Sequence, residues 1–200
     1  MIKTFLFDIG NVLVHFCHDR MWRQLGDIFG VEANILKQHA IDQNIVHRYD
    51  TGQIDTAGFH DFFCQFANCS PTKQEFVHAL TDIFHPNESI YFLVHHLKAK
   101  GIRLVLLSNT CEAHFEYLFQ HHSILQEFDY PVLSYKVQAC KPNKAIFSAA
   151  LDAARCSAEE CFYLDDIPEY IRAGQAFGFQ AALYENTPSL LNNLTNLKII

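Results

Sequence analysis

The stretch Ile2-Lys3-Thr4-Phe5-Leu6-Phe7-Asp8-Ile9-Gly10-Asn11 decides how the rest of the chain is interpreted. Its first six residues are apolar apart from Lys3 and Thr4, and such a run is typical of a strand buried on both faces of a parallel sheet. Asp8 stands where this strand ends. Because ligands of open α/β sheets bind at the carboxyl ends of the strands, the junction predicts a functional site.

Four more apolar segments of strand length follow along the chain, at residues 103–107, 132–134, 161–164 and 180–183. Between them, apolar residues recur at helical spacing, which predicts helices over residues 88–100, 144–154 and 167–177. This repetition of strand and helix predicts an α/β fold, a doubly wound parallel sheet of about five strands with a Rossmann-like core.

Residues 16–85 interrupt the alternation. The segment contains no good strand, and the spacing of its apolar residues predicts helices over 21–29, 33–39, 56–66 and 72–83. Asp19 and Thr72 are predicted to be helix N-caps. We therefore predict a small all-helical cap inserted after the first strand. In this division residues 1–15 and 86–200 form the α/β core, and residues 16–85 form the cap.

Composition limits the possible partners. Of the 200 residues 50% are hydrophobic, so the chain can bury a sizeable core. A formal charge of −7 argues against nucleic-acid binding, and no apolar run approaches the ~20 residues that span a bilayer. The N-terminal apolar stretch is too short for a secretion signal, and the seven cysteines include no C-x-x-C pair. We expect a cytoplasmic monomer or homodimer with reduced thiols and without nucleic-acid or membrane partners.

Polar side chains also follow the later strands. Ser108-Asn109 ends the second strand, Lys141-Pro142 comes after the third, and Asp165-Asp166 ends the fourth. Because the carboxyl ends of parallel strands share one edge, we expect three carboxylates, a hydroxyl, an amide and an ammonium group to meet there.

Clustered carboxylates repel one another by roughly 4 kcal/mol per pair at ~4 Å and an effective dielectric constant near 20. Such a cluster persists when a cation is bound, and oxygen ligands select a hard cation such as Mg²⁺. The neighbouring hydroxyl and ammonium groups suit a phosphorylated substrate. A carboxylate beside the phosphoryl group can attack it and form an acyl phosphate, which water then hydrolyses.

The same residues resemble the motifs of the haloacid dehalogenase superfamily. The motifs occur in the expected order: Phe7-Asp8-Ile9-Gly10-Asn11-Val12-Leu13, Ser108-Asn109, Lys141-Pro142 and Leu164-Asp165-Asp166. The predicted cap matches the position that this family calls C1. Within it, Arg48-Tyr49-Asp50-Thr51-Gly52-Gln53-Ile54 with Phe59 resembles a segment of bacterial sugar-phosphate phosphatases, for which glucose 1-phosphate is a substrate. The phrase Leu164-Asp165-Asp166-Ile167 is similar to the phosphatase domain of soluble epoxide hydrolase.

The resemblance implies catalytic and phosphate-binding roles. Asp8 would be the nucleophile, and Lys141 would neutralise both Asp8 and the transferring phosphoryl group. The phosphoryl oxygens would be bound by Lys141, by the Ser108 hydroxyl and by the backbone or side-chain amide of Asn109. The partner would be a small phosphorylated metabolite.

The resemblance also implies a set of Mg²⁺ ligands. Asp8 would supply one carboxylate and Asp166 the other main one, and the carbonyl of Gly10 would complete the set. Asp165 would bind the metal through water or orient Lys141.

Gly10 is a departure from the usual motif D-x-D-G-T, whose second aspartate is the general acid and base. Loss of such a group typically removes ~10²–10⁴-fold in rate. The sugar-phosphate phosphatase subgroup shares the Asp-x-Gly-Asn form, so activity is compatible with this change. Water on the metal, or His18 or Asp19 near the cap junction, could take over the proton transfer.

Three interpretations of function remain open. The first is a Mg²⁺-dependent phosphatase acting on a small phosphomonoester such as a sugar phosphate. The second is a 2-haloacid dehalogenase, which also uses an aspartate nucleophile but needs no metal. The third is a non-catalytic protein that keeps the fold for binding or regulation and has lost turnover with the second aspartate.

Overall fold

The structure, a computed structural model, describes residues 1–200. Seven strands lie along the chain: β1 (Thr4–Phe7), β2 (Val14–Phe16), β3 (Phe84–Pro86), β4 (Arg103–Ser108), β5 (Tyr130–Leu133), β6 (Cys161–Asp165) and β7 (Gln180–Leu183). Five of them form one sheet in the order β5-β4-β1-β6-β7, and all neighbours in it are parallel. β1 is therefore the central strand, with β4 and β6 on either side.

Eleven α-helices connect the strands: α1 (His18–Phe29), α2 (Ala33–Asp42), α3 (Ile45–Asp50), α4 (Thr56–Ala67), α5 (Lys73–Thr81), α6 (Tyr91–Ala99), α7 (Glu112–His121), α8 (Ser134–Val137), α9 (Lys144–Ala154), α10 (Pro168–Phe177) and α11 (Thr187–Asn196). Each is too short or too polar to cross a membrane.

Helices cover both faces of the sheet. Successive side chains of a strand point to opposite faces, so Phe5 and Phe7 of β1 pack against α6, α7 and α11. Leu6 points the other way and packs in a second cluster with residues of α9 and α10. A parallel sheet covered by helices on both faces is the doubly wound α/β fold that the sequence predicts, and this prediction is confirmed.

Helices α1 to α5 lie between β2 and β3, which pair with each other in antiparallel fashion. These helices have a hydrophobic cluster of their own, which includes Trp22, Phe59 and Phe63. β2 ends at Phe16 and β3 begins at Phe84, so the two strands flank the helical segment. Neither strand is predicted from the sequence, because three residues give too little alternation to recognise. The division into residues 1–15, 16–85 and 86–200 stays a prediction.

Of the two predicted helix N-caps, one is confirmed and one is wrong. Thr72 caps α5 as predicted, since its side chain accepts a hydrogen bond from the backbone of Glu75, whose carboxylate accepts one in return. The cap predicted at Asp19 is wrong, because α1 begins at His18 and Asp19 lies in its first turn. An acid there still interacts favourably with the helix dipole.

Candidate active site

The ends of the three central strands bring the predicted site residues together. Asp8 follows β1, Ser108 ends β4, and Asp165 ends β6. Phe7, the last residue of β1, lies opposite Leu106 of β4 and Leu164 of β6. The residues that come next in each strand therefore share one edge of the sheet.

Lys141 connects two of the acids. Its Nζ lies 2.9 Å from Asp8 Oδ1 in an ion pair and donates hydrogen bonds to Asp165 Oδ2 at 2.6 Å and to the Leu107 carbonyl at 3.0 Å. An ammonium group has three N–H donors, which matches the number of these oxygen partners. Only 1% of the Lys141 side chain is exposed, which holds its charge next to Asp8.

Burial and charge act in opposite directions on this pair. Burial raises the pKa of Asp8 to about 6, although the ammonium of Lys141 acts to lower it. Burial by itself lowers the pKa of Lys141, but the carboxylates of Asp8 and Asp165 outweigh it and raise that pKa above its usual value. The lysine therefore stays charged at neutral pH.

Asp165 is fully buried, and both of its oxygens already accept hydrogen bonds. Oδ2 accepts from Lys141 and from the hydroxyl of Tyr163, and Oδ1 accepts from the backbone N–H of Ile167 at 2.9 Å. Of the two roles anticipated for Asp165, metal binding through water and orientation of Lys141, these contacts favour the orientation of Lys141.

Three carboxylates at the same edge of the sheet lie close enough together to hold a metal ion. One carboxylate oxygen from each of Asp8, Asp165 and Asp166 lies within 4.8 Å of the others. Three carboxylates face a single ammonium group, so a divalent cation would balance the charge. The Gly10 carbonyl accepts no backbone hydrogen bond and is free to coordinate. Asp8, Asp166 and Gly10 thus fit Mg²⁺, which prefers oxygen ligands.

Asn11 steadies Asp166, a contact that sequence reasoning missed. Its side-chain amide donates a hydrogen bond of 2.9 Å to Asp166 Oδ2. The backbone of Asn11 is left-handed, with φ at 55°, a conformation that asparagine tolerates better than most residues. The only signal in the sequence is an asparagine where the motif usually has glycine.

Asn109 lies at the site, but its side chain is hydrogen-bonded to the backbone of Lys141 and not directed to a phosphoryl group. The side-chain oxygen accepts from the Lys141 backbone N–H at 2.7 Å, and the side-chain amide donates to the Lys141 carbonyl at 3.1 Å. The amide also lies 3.3 Å from the Tyr170 hydroxyl. The side chain therefore holds the lysine segment in place. Of the two amides anticipated, the backbone N–H, which makes no backbone hydrogen bond, is the one left for a phosphoryl group.

A cavity of about 170 Å³ adjoins this edge of the sheet. Gly10, Ser108 and Asn109 are among its lining residues, and the others come from the ends of β1 and β4, from β2 and β3, and from helices α1, α3, α4, α5 and α7. His18 lines the cavity, whereas Asp19 does not, and 85% of the Asp19 side chain is exposed. Of these two side chains only His18 lies at the cavity, so the structure argues against Asp19 as the proton carrier.

Comparison with known proteins gives the same picture. The sequence profile of the haloacid dehalogenase-like hydrolases matches residues 2–178. A bifunctional riboflavin kinase/FMN phosphatase of Arabidopsis thaliana is 27% identical over 118 residues, covering 54% of this chain. The match covers 31% of that protein, so this chain corresponds to less than a third of it.

Solved structures share the fold over almost the whole chain. A haloacid dehalogenase family enzyme of Bacteroides thetaiotaomicron has a TM-score of 0.84 at 21% identity, covering 95% of this chain and 98% of that one. A predicted hydrolase of the same family from Porphyromonas gingivalis has a TM-score of 0.82 at 23% identity, covering 97% and 98%. The matched profile and the shared fold assign this chain to the haloacid dehalogenase-like hydrolase family.

Proposed function

We propose that this hydrolase cleaves a small phosphomonoester in a Mg²⁺-dependent reaction through an aspartyl-phosphate on Asp8. The observation that carries the proposal is the buried contact of Asp8 with Lys141, 2.9 Å from carboxylate to ammonium, beside Asp166 and at the sheet edge that the cavity adjoins. A carboxylate held in this way has one oxygen on the lysine and a second oxygen left to attack.

The residues divide the work of the reaction. The Ser108 hydroxyl, the Asn109 backbone N–H and the Lys141 ammonium bind the phosphoryl oxygens and orient phosphorus towards Asp8. A carboxylate oxygen of Asp8 forms a bond to phosphorus while the ester P–O bond breaks, and the leaving alkoxide takes up a proton. Water then attacks phosphorus and gives up a proton to the group that protonated the alkoxide, while the bond between phosphorus and the Asp8 oxygen breaks. Inorganic phosphate is released and the Asp8 carboxylate is restored. Bound Mg²⁺ supplies positive charge to the phosphoryl oxygens.

Several features support this choice. The relative from Arabidopsis thaliana is a phosphatase in part, and the Bacteroides thetaiotaomicron enzyme has been crystallised with magnesium and with inorganic phosphate. The resemblance to sugar-phosphate phosphatases with a C1 cap makes sugar phosphates the first substrates to test. All seven cysteines are unpaired, in keeping with a reducing cytoplasm. We propose a small phosphorylated metabolite as the partner of this enzyme, acting as a monomer or homodimer.

The proposal is tested by a phosphate-release screen over small phosphomonoesters with Mg²⁺ and with EDTA. We expect release from at least one ester in Mg²⁺, and a loss of at least about 10²-fold when EDTA removes the metal. Release of chloride from a 2-haloacid in EDTA would favour a dehalogenase instead. Absence of any phosphate release over the whole panel would favour a protein that binds without turnover.

Because Gly10 has no side chain to carry a proton, His18 is expected to carry it. Exchanging His18 for Gln should lower kcat by about 10²-fold, the usual contribution of general acid–base catalysis. The matched control is Asp19→Asn, a neighbouring residue with an exposed side chain, whose kcat should stay unchanged. Steady-state phosphate release measures both variants. Equal rates for the two would remove His18 from the mechanism.

A further inference from the structure

The cavity beside the active site, where the leaving group of the proposed reaction would lie, is lined mostly by apolar side chains and by a single acid. Twelve of its 19 lining residues are hydrophobic, among them Met21, Trp22 and Phe59 from the helices outside the sheet. The lining contains no lysine or arginine. Burial lowers the pKa of His114, another lining residue, to about 4, so its imidazole is neutral at neutral pH. Asp50 is the acid that lines this space.

Asp50 is the last residue of α3 and lines both the cavity and an open cleft that adjoins it. Its carboxylate makes no hydrogen bond or ion pair with another side chain or with the backbone. Burial raises the pKa of Asp50 to about 6, and the charge of Asp50 contributes to raising the pKa of the Cys111 and Cys140 thiols. Asp50 is half-buried where the apolar cavity meets the open cleft, so its carboxylate has no protein partner and can meet a positive charge on a ligand.

The segment around Asp50 is fixed in place. Tyr49 is buried, and its hydroxyl contacts Thr56 at 2.8 Å and accepts from the Ala113 backbone N–H at 3.2 Å. Gly52, with φ at 67°, lies so close to α8 that a Cβ would come within 2.1 Å of the Tyr135 carbonyl. Anchors on both sides of Asp50 therefore keep its carboxylate at the cavity wall.

The size of the cavity limits the leaving group. An engineered cavity of about 150 Å³ in another protein holds one benzene ring. The cavity of about 170 Å³ therefore has room for one six-membered ring. A larger substituent would extend past Asp50 into the adjoining cleft.

From the unpaired carboxylate, the apolar lining and the cavity size, we propose that the preferred substrate is a phosphomonoester with a single apolar ring that carries a protonated amine. Asp50 binds the amine and is a specificity-determining residue. This inference rests on the proposed phosphatase function. Esters with an anionic leaving group are poorer substrates, since the lining contains no lysine or arginine to balance them. Sugar phosphates fit less well, because many hydroxyl groups would face apolar side chains.

Three matched esters test the proposal: 4-(aminomethyl)phenyl, 4-ethylphenyl and 4-carboxyphenyl phosphate, which carry a cation, no charge and an anion on similar shapes. We expect kcat/KM to fall in that order, with about 10-fold or more between the first and the last. Asp50→Asn should bring the kcat/KM values of the three esters within about 3-fold of one another. Glucose 1-phosphate should be a poorer substrate than the cationic ester.

Asp27→Asn is the matched control, because Asp27 is an exposed acid on α1 and the charge change is the same. It should leave the order of the esters unchanged. A thermal unfolding midpoint near that of the unaltered protein shows that each variant is folded. If the unaltered protein treats the three esters alike, or if Asp50→Asn slows all of them equally, the proposal is overturned.

Binding separates this inference from the proposed function. The dissociation constants of the same esters are measured by calorimetry on the Asp8→Asn variant in Mg²⁺, with and without Asp50→Asn. Absence of turnover from any ester would contradict the phosphatase function alone. The cationic ester should still bind more tightly than the anionic one, and equal binding would contradict the role of Asp50.

Discussion

Replacing Asp8 with asparagine is expected to lower kcat for phosphate release by about 10⁴-fold or more, the scale seen when a hydrolase loses its nucleophile. Asparagine has nearly the same shape, and its side-chain oxygen can still lie against the Lys141 ammonium, which is 2.9 Å from the Asp8 carboxylate. Its amide nitrogen cannot attack phosphorus as a carboxylate oxygen does. The change should therefore remove chemistry and leave substrate binding largely intact.

Two measurements separate this result from a folding defect. Steady-state phosphate release gives kcat, and denaturant unfolding should show a stability close to that of the unaltered protein. Acid quenching of the unaltered enzyme during turnover should trap phosphate on Asp8, a label that Asp8→Asn should lack. Turnover retained in Asp8→Asn would rule out the covalent mechanism.

Replacing Lys141 with methionine should cost both activity and stability. Methionine has a similar length but no charge, so the carboxylates of Asp8 and Asp165 would face each other in a buried site without a counterion. Removing one partner of a buried ion pair typically destabilises a protein by about 3–5 kcal/mol. Loss of the positive charge on the phosphoryl group should also bring kcat close to the background rate. Denaturant unfolding and phosphate release measure the two effects.

A second change tests the cause of the instability. Adding Asp165→Asn to Lys141→Met removes one of the repelling charges, so the double variant should lose less stability than the sum of the two single variants. Lys141→Arg should also be inactive, although it keeps the positive charge. The guanidinium is larger than the ammonium and planar, and the ring centroids of Tyr163 and Tyr170, 5.9 and 5.2 Å from Nζ, leave little room for it. A stability loss below about 1 kcal/mol in Lys141→Met would contradict this account.

Local signals account for the parts of the fold that could be predicted. The apolar runs of the five sheet strands are short and continuous because both faces are buried, and that pattern is visible without knowing the neighbours. Predicted and observed bounds agree for β7 and α9 and differ by one or two residues for most other elements of the core. α7 was not predicted, although Phe115 and Leu118 pack in the core, because polar residues interrupt its apolar face.

The site could be predicted in outline for a related reason. Parallel strands bring their carboxyl ends to one edge, so residues that follow strands become neighbours whatever the length of chain between them. This placed Asp8, Ser108, Lys141 and Asp165 together. The strand ends do not determine which acceptor each donor contacts. The hydrogen bonds between the Asn109 side chain and the Lys141 backbone could therefore not be predicted.

The amino-acid sequence by itself determined the α/β architecture and which acids, hydroxyl and ammonium groups meet at the sheet edge, because burial periodicity and strand ends are local properties. Only the tertiary structure decided how those groups pair and what surrounds them. The contact of Asn11 with Asp166 joins residues 155 positions apart, and the isolation of Asp50 depends on which side chains do not come near it. Such distances and absences arise only when separate segments pack against one another.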